Sequence, residues 1–441
     1  MFRKEDILHI GKADGQRYDL MVIGAGPAGI GAAIAAARQG LQVALLESAA
    51  FPGGVGTQCN VPLYFGFGVN GKQSTAGLSE EFIRRMDEVG AASLLLNDGC
   101  AMPEYRPIAG RALTAKVQLH AETMKLMYRR MLQEAGVDCL FYSKMIGAAV
   151  EDGHIEAVLV SCLEGLIWFF ADSFVDATGD ALLFREAGAG VRKCTEDEGM
   201  HKSMFFLVGG VTPFDHAYNC ALYQEAYRAG RLPEHVWDHF GYSVQLNPGV
   251  VQIAVVYATG DALDSRDMSR MDMEMRENVF AVLDFLRREM PGFRNCYLLD
   301  TGSKIGVRSG QMIEGMETLT EEMVCQGIAT AEPIALTNRS YGAHSNARQR
   351  FLSNWAKCMD GFSAVPMKAL LSPDLDNALA AGRCLSGDPH VLGVYRMMNT
   401  CMTTGEAAGL MAALAKRKNI SVRSVEYQDL RPMLDAAGFI L

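Results

Sequence analysis

The sequence lacks several features that would assign a chain of this size to a common class. No uncharged apolar run reaches the roughly 20 residues of a transmembrane helix. Residues 1–10 hold acidic side chains where a secretory signal peptide needs an apolar segment. None of the 11 cysteines is spaced CxxC, and no Cys/His cluster has zinc-ligand spacing. We therefore expect a cytoplasmic protein with reduced thiols, no membrane span and no metal site.

Basic clusters are also scarce. The longest is Lys416-Arg417-Lys418, which is typical of the last turn of a helix. With 41 Lys and Arg against 51 Asp and Glu, the chain carries a net charge of −10. Affinity for nucleic acid depends largely on basic patches, so we expect a small-molecule substrate and no nucleic-acid partner. Nothing in the sequence indicates the oligomeric state.

The most informative stretch runs from Tyr18 to Glu47 and has the pattern of strand, glycine turn, helix and second strand. Gly24 allows a tight turn, Gly26 leaves room for a pyrophosphate, and Gly29 lets helix and strand touch. Glu47 ends the second strand, where a carboxylate accepts hydrogen bonds from a ribose. An ordinary βαβ unit needs neither the three glycines nor the acid. The expected dinucleotide contacts are Gly24, Gly26, Pro27, Ala28, Gly29, Glu47 and Ser48.

Two further segments have the composition of ligand-binding loops. Residues 51–57 are rich in glycine, which is typical of backbone that approaches a ligand closely, or else of a mobile surface loop. The predicted strand 166–175 leads into DATGD at 176–180, at the edge of a parallel sheet where ligands bind. Cys59 follows the first loop, and a packed thiol is its simplest interpretation. The expected contacts from these segments are Gly53, Gly54, Thr57, Thr178, Gly179 and Asp180.

The length of 441 residues exceeds what one core comfortably supports. The pattern predicts an α/β fold with a Rossmann-like cofactor domain in residues 1–193, completed by residues 373–441. Residues 194–372 are predicted to be an inserted mixed α/β domain with an antiparallel sheet. Helical spacing predicts helices over 117–135 and from Thr404, the latter with a capping box formed by Thr403 and Glu406.

Several motifs, in order along nearly the whole chain, resemble those of the FAD-dependent oxidoreductase family within the glutathione-reductase-like flavoproteins. They are GAGPAG with Glu47, PGGVGT, DATGD, GVR at 306–308 with LTEE behind it, and DNALAAGRCLS through GVYRMMNTCMTTGEAAG. The resemblance implies FAD as the cofactor and a C-terminal strand and helix that complete the FAD domain. It also implies that the C-terminal helix points its N-terminus at the flavin. The residues it places near the cofactor are Gly382, Arg383, Thr404, Gly405, Ala407 and Ala408.

The function implied is an enzyme that transfers a hydride from a small polar organic substrate to flavin N5. Such a step needs a base for the substrate's proton, and histidine suits this role because its pKa lies near working pH. His344 is the first candidate and His390 the second, while Arg308 and Arg396 are candidates for orienting an anionic substrate. Two departures bear on the bases. The aspartate of the family's Asp-x-His motif is Gly342 here, and His390 is shifted by about one place from the family's histidine.

Four other functions are compatible with a flavin-binding chain to different degrees. A disulfide reductase would carry a CxxxxC pair and a second GxGxxG, and the sequence has neither. A flavin-dependent monooxygenase stays open, because the reaction of reduced flavin with oxygen depends on cavity shape. A non-enzymatic flavin sensor would not need a large substrate domain, and the acidic balance argues against an RNA-modifying flavoprotein. The sequence does not identify the substrate or the electron acceptor.

Overall fold

The structure is a computed structural model, and it describes residues 2–3, 10–69, 71–95, 105–114, 116–195, 198–326, 328–337 and 362–441. Within these residues the strands are β1 (Lys12–Ile23), β2 (Val43–Leu46), β3 (Leu63–Tyr64), β4 (Gly68–Val69), β5 (Lys72–Gln73), β6 (Ala92–Leu95), β7 (Tyr105–Arg106), β8 (Lys116–Leu119), β9 (Asp138–Leu140), β10 (Lys144–Glu151), β11 (His154–Cys162), β12 (Gly165–Asp176), β13 (Val191–Lys193), β14 (Lys202–Gly209), β15 (Tyr242–Val244), β16 (Val251–Ala258), β17 (Tyr297–Thr301), β18 (Gln311–Ile313), β19 (Pro333–Thr337), β20 (Ser363–Pro366) and β21 (Ala378–Ala380). The α-helices are α1 (Pro27–Arg38), α2 (Val55–Gln58), α3 (Gly77–Glu88), α4 (Ala121–Glu134), α5 (Leu182–Glu186), α6 (His216–Arg228), α7 (Ser265–Glu289), α8 (Glu321–Gln326), α9 (Leu392–Tyr395), α10 (Met398–Lys418) and α11 (Tyr427–Ala436).

A seven-stranded sheet forms the centre of the fold. Its order is β10-β11-β12-β1-β2-β9, and β21 pairs with the end of β12. β1 is parallel to β2 and β12, whereas β11 is antiparallel to β10 and β12. Ile23, the last residue of β1, lies beside Leu46 of β2 and Asp176 of β12. The residues that follow these strand ends therefore meet at one edge of the sheet, where open α/β sheets bind ligands.

Helices α1 and α10 pack against one face of this sheet. Val22 and Leu45 share a buried core with both helices, while their neighbours Ile23 and Leu46 belong to the core of the opposite face. This alternation follows from the two-residue period of a strand. The two helices approach closely at Gly405, where the absence of a side chain leaves room for the α1 backbone. A Cβ added at this position would overlap that backbone.

A second sheet, with the order β15-β16-β14-β17, is antiparallel throughout. Helices α6 and α7 cover one face and bury Phe206, Tyr223 and Phe285 in a separate core. The opposite side contacts the loops of the first sheet. Gln252 donates to the carbonyl of Asn60, and Asn60 Nδ2 donates to the Asp300 carboxylate of β17 at 2.9 Å. The chain is thus a mixed α/β fold in which an antiparallel sheet lies against the loops of a mainly parallel one.

Two predicted helices differ from the structure. The helix predicted over 117–135 begins only at Ala121, because residues 116–119 pair with β3 and β6 as strand β8. The helix predicted from Thr404 begins at Met398. The predicted capping box is therefore wrong: Thr403 and Glu406 lie inside α10, and the Glu406 carboxylate accepts from the backbone N–H of Leu78 at 2.9 Å.

No described helix is both long enough and apolar enough to cross a membrane. Across the same parts of the chain, no group of three or more metal-ligating side chains comes together.

Candidate functional site

A cavity of about 770 Å³ opens at the edge of the central sheet where β1, β2 and β12 end. Its size falls within the roughly 300–1,000 Å³ of small-molecule and cofactor sites. Four parts of the chain line it, lying within residues 23–59, 143–182, 262–307 and 381–401. The site therefore includes residues from the central sheet, from α7 and the segment after β17, and from the C-terminal segment.

The glycine turn forms one wall of this cavity. Gly24 has a φ of +100°, a conformation that favours glycine, and a Cβ there would lie 2.6 Å from the Ala177 carbonyl oxygen. Gly26 is the reverse case, because its Cβ would meet no protein atom within 4 Å. Gly26 is also the N-cap of α1 and makes no side-chain cap hydrogen bond. The first N–H groups of α1 are thus left for a ligand on the cavity side.

Glu47 lies beside this turn and lines the cavity with Ser48. Its Oε2 accepts from the Ala25 N–H at 2.9 Å and its Oε1 from the Ala49 N–H at 2.8 Å. These bonds fix the carboxylate at the end of β2. Each carboxylate oxygen has two lone-pair sites, so Glu47 retains capacity to accept from ribose hydroxyls.

The glycine-rich segment after β2 lies against the turn. Gly54 lines the cavity, and its added Cβ would lie 3.1 Å from Gly26 Cα. Gly53 and Thr57 do not line it; the Thr57 hydroxyl donates to the Pro52 carbonyl at 2.9 Å and shapes the loop. Cys59 does line it, and burial raises the pKa of its thiol to about 11.

Residues 302–305, which we term the strap, run from β17 across the cavity edge and dock on this loop. The Lys304 N–H donates to the Gln58 carbonyl at 3.1 Å, and the Cys59 thiol lies 3.5 Å from the Ile305 carbonyl. A Cβ at Gly302 would lie 2.9 Å from Cys59 Cα. The strap is therefore pinned to the glycine-rich loop through its backbone.

The DATGD segment supplies the wall next to the glycine turn. Asp176 is fully buried and accepts from the Thr178 hydroxyl at 2.7 Å and the Leu183 N–H at 2.8 Å. Burial raises its pKa. Thr178, Gly179 and Asp180 line the cavity. Asp176 thus orders the loop without itself facing the cavity.

Arg383 joins this loop to Val307, just beyond the strap. Its Nε donates to the Gly179 carbonyl at 2.7 Å and its Nη2 to Asp180 Oδ2 at 2.8 Å, while Nη1 donates to the Val307 carbonyl. Burial raises the pKa of Asp180, and the charge of Arg383 opposes that rise. Arg383 lines the cavity, but its guanidinium is largely engaged in holding its neighbours.

The C-terminal helix reaches the cavity by its first turn. Met398 and Cys401 line it, and the N-cap of α10 makes no side-chain cap hydrogen bond. The remaining expected contacts of this region pack behind the cavity. The Thr404 hydroxyl accepts from the Gly382 N–H at 3.1 Å, for example. Residues in this buried position are Gly382, Thr404, Gly405, Ala407 and Ala408, and Gly29 packs similarly under the turn.

The predicted catalytic residues are dispersed. His344 lies outside the described residues. His390 does not line the cavity; it follows Asp388, whose carboxylate accepts from its backbone N–H at 3.0 Å. Arg308 is buried behind the lining and donates to the His201 carbonyl at 2.8 Å. Arg396 is the one of these four that the structure places in the lining.

Sequence reasoning missed the lining residues that the strap, α7 and β10 contribute. Lys304 of the strap and Asp272 and Met273 of α7 line the cavity, as does Lys144 of β10. The GVR motif that follows the strap was the available signal for Lys304. No local pattern distinguishes the cavity-facing side of α7 from an ordinary solvent-facing side.

These donors fit an anionic dinucleotide. Two helices begin at the cavity without side-chain caps, the open face at Gly26 leaves room for phosphate oxygens, and Glu47 is placed for a ribose. The described lining also holds cationic side chains at Lys144, Lys304 and Arg396.

Comparison with known proteins agrees with this chemistry. No protein of curated function matches the sequence. Two solved structures share the fold: a geranylgeranyl bacteriochlorophyll reductase-like protein from Thermoplasma acidophilum (13% identity, 96% of this chain and 84% of that one, TM-score 0.51) and BexE (12% identity, 96% and 69%, TM-score 0.50). The flavin-dependent brominase Bmp2 is a further similar structure (14% identity, 96% and 83%, TM-score 0.49). The sequence profile of the FAD dependent oxidoreductase family matches residues 19–434. The chain therefore belongs to the FAD-dependent oxidoreductase family.

Proposed function

We propose that the protein oxidises a small polar organic substrate held beside FAD in this cavity. FAD, when bound, supplies an electron-pair acceptor at its N5 position. The observation that carries the proposal is the continuity of one cavity from the open face of Gly26 to Arg396 and Met398. Arg396 then orients the substrate through an anionic group, since a guanidinium can bind a carboxylate at two points.

We also propose that residues 1–193 and 373–441 form the FAD-binding domain, with residues 194–372 inserted as the substrate domain. The pairing of β21 with β12 supports the C-terminal completion. The separate core around α6 and α7 supports the insertion. The cofactor-binding residues in this proposal line the cavity: Gly24, Gly26, Pro27, Ala28, Glu47, Ser48, Gly54, Thr178, Gly179, Asp180 and Arg383.

In the first form of the reaction, a hydride passes from the substrate to flavin N5, and a base takes the substrate's proton. His344 remains the first candidate for this base and His390 the second. Arg308 serves this form indirectly, because it holds the backbone at His201.

A second form of the reaction is monooxygenation. It is favoured because the carboxylates of the described lining are already engaged by other groups of the protein. Glu47 accepts from backbone amides, Asp180 pairs with Arg383, and Asp272 pairs with Arg276 at 2.8 Å. No histidine belongs to the described part of the lining. Monooxygenation consumes dioxygen and NAD(P)H, adds one oxygen atom to the substrate and releases water, so it needs no such base for a carbinol proton. BexE, which shares the fold, is linked to oxidation during BE-7585A biosynthesis.

Anaerobic mixing of the FAD-loaded protein with a panel of organic acids, amino acids and hydroxy acids tests the proposal. Bleaching of the flavin by one of these compounds would establish hydride transfer. Anaerobic bleaching by NADPH alone, followed by label from isotopic dioxygen in the product once dioxygen and the substrate are admitted, would establish monooxygenation. Arg396→Lys should raise KM for the active compound more than it lowers kcat. A flavin that can be photoreduced but that neither the panel nor NADPH bleaches would overturn the proposal in favour of a flavin sensor.

A further inference from the structure

The Lys304 side chain extends from the strap to the far edge of the cofactor cavity. Its Nζ lies 3.5 Å from the Ser48 hydroxyl, next to Glu47, and all three residues line the cavity. No described carboxylate lies within ion-pair distance of this ammonium group. The Lys304 backbone is held by the Gln58 carbonyl. An anchored lysine thus places an unneutralised positive charge beside the cavity.

A bound FAD brings a pyrophosphate with two negative charges into this region, and the described residues offer few groups to balance them. The N-terminus of α1 carries only about half a unit of positive charge. Arg383 is engaged by two backbone carbonyls and Asp180. Arg396 lines the cavity with Met398, at the start of α10. Lys144 is exposed at the start of β10, next to Ser143, whose N–H donates to the Glu47 carbonyl at 3.0 Å.

We infer that Lys304 is a cofactor-binding residue whose ammonium group offsets the negative charge of the FAD pyrophosphate. Because the strap is pinned to the glycine-rich loop, this positive charge is held beside Ser48 at the cavity edge. Lysine suits this position because its ammonium is a compact point charge with three donors on a flexible stem. FAD retention therefore depends on the second sheet as well as on the glycine turn.

Fluorescence titration of the full-length apo-protein with FAD tests the inference. Lys304→Gln should raise Kd about tenfold at an ionic strength of about 0.01 M and by less at about 0.15 M, because salt screens an exposed charge. Lys304→Arg should stay within about twofold, as the charge is retained. Lys12→Gln is the matched control, since Lys12 is exposed on β1 and does not line the cavity. Lys144→Gln tests the other exposed lysine of the lining.

Two competitors locate the contact. Lys304→Gln should weaken ADP, which carries the pyrophosphate, and leave adenosine binding unchanged. An FAD Kd for Lys304→Gln equal to that of Lys12→Gln would overturn the inference. Equal weakening of ADP and adenosine would also overturn it, because the lysine would then contact the ribose or the base. So would a loss confined to Lys144→Gln. Thermal unfolding of the apo-protein should not change in any of these variants.

Discussion

Glu406 is predicted to make the stability of the protein depend on pH. It lies in the middle of α10 with 4% of its surface exposed, and its carboxylate accepts from the Leu78 N–H at the start of α3. Burial raises the pKa of this carboxyl from 4.5 to about 8, and the Leu78 hydrogen bond and the charge of Arg38 only partly oppose that rise. Arg38 is itself paired with Glu81 at 2.7 Å. The folded protein therefore holds a proton on Glu406 at neutral pH.

The size of the effect follows from this difference in pKa. Each pKa unit corresponds to about 1.4 kcal/mol between the protonation states. Below pH 4.5 the carboxyl is protonated in both the folded and the unfolded chain, so its titration does not lower the free energy of unfolding. Above that pH the unfolded chain loses the proton first, and stability falls as pH rises. The loss levels off above pH 8, at about 5 kcal/mol as an upper estimate.

Glu406→Gln removes this titration and keeps an oxygen that can accept from Leu78. Urea unfolding of the wild type and the variant at about pH 6 and pH 9 isolates Glu406, because other titrating groups are common to both proteins. The free energy of unfolding of Glu406→Gln, relative to wild type, should increase by about 3 kcal/mol between these pH values. A difference that is constant to within about 0.5 kcal/mol would refute the reasoning, since Glu406 would then titrate as an ordinary acid.

Three other predictions concern the cofactor site and the packing behind it. Gly405→Ala should lower the free energy of unfolding by about 1–3 kcal/mol in urea, because its Cβ would overlap Ala28, whereas Gly15→Ala, whose Cβ meets nothing within 4 Å, should not. Gly26→Val should melt as the wild-type apo-protein does but fail to retain FAD, since its side chain would enter the cavity; full occupancy would contradict the site. His344→Ala should slow anaerobic flavin reduction by substrate about 10²–10⁴-fold with FAD binding unchanged, and a rate within about threefold of wild type would reject the base assignment.

The local parts of the cofactor site could be predicted from sequence because each is encoded within a short segment. The strand, the turn at Gly24 and the helix from Pro27 follow from glycine spacing and apolar runs, and the structure has them where they were predicted. The start of α10 could not be predicted in the same way. Thr403 and Glu406 imitate a capping box, but the Thr403 hydroxyl donates to the Asn399 carbonyl at 3.1 Å, as threonines inside helices do. Tertiary contacts decided the role of Glu406.

The strap shows a second limit of sequence reasoning. Lys304 and Ser48 are far apart in the chain, and nothing in either segment indicates that their side chains meet. The contact arises because β17 delivers the strap to the glycine-rich loop, an arrangement set by the packing of one sheet on the other. Motifs identify the segments that bind a cofactor, but only the fold shows which residues complete the site from outside them.

The packing of α1 on α10 has a consequence for the bound cofactor. Both helices begin at the cavity, α1 at Pro27 and α10 at Met398, and both present uncapped N–H groups there. Gly405 lets the α10 backbone lie directly on the Ala28 carbonyl, so the two helices cannot slide apart without losing close contact. The two positive helix ends are thus held at a fixed separation. If one receives the pyrophosphate and the other the flavin, the spacing of these two parts of FAD is set by the contact between Gly405 and Ala28. Substitution of Gly405 should therefore alter FAD binding, although Gly405 does not line the cavity.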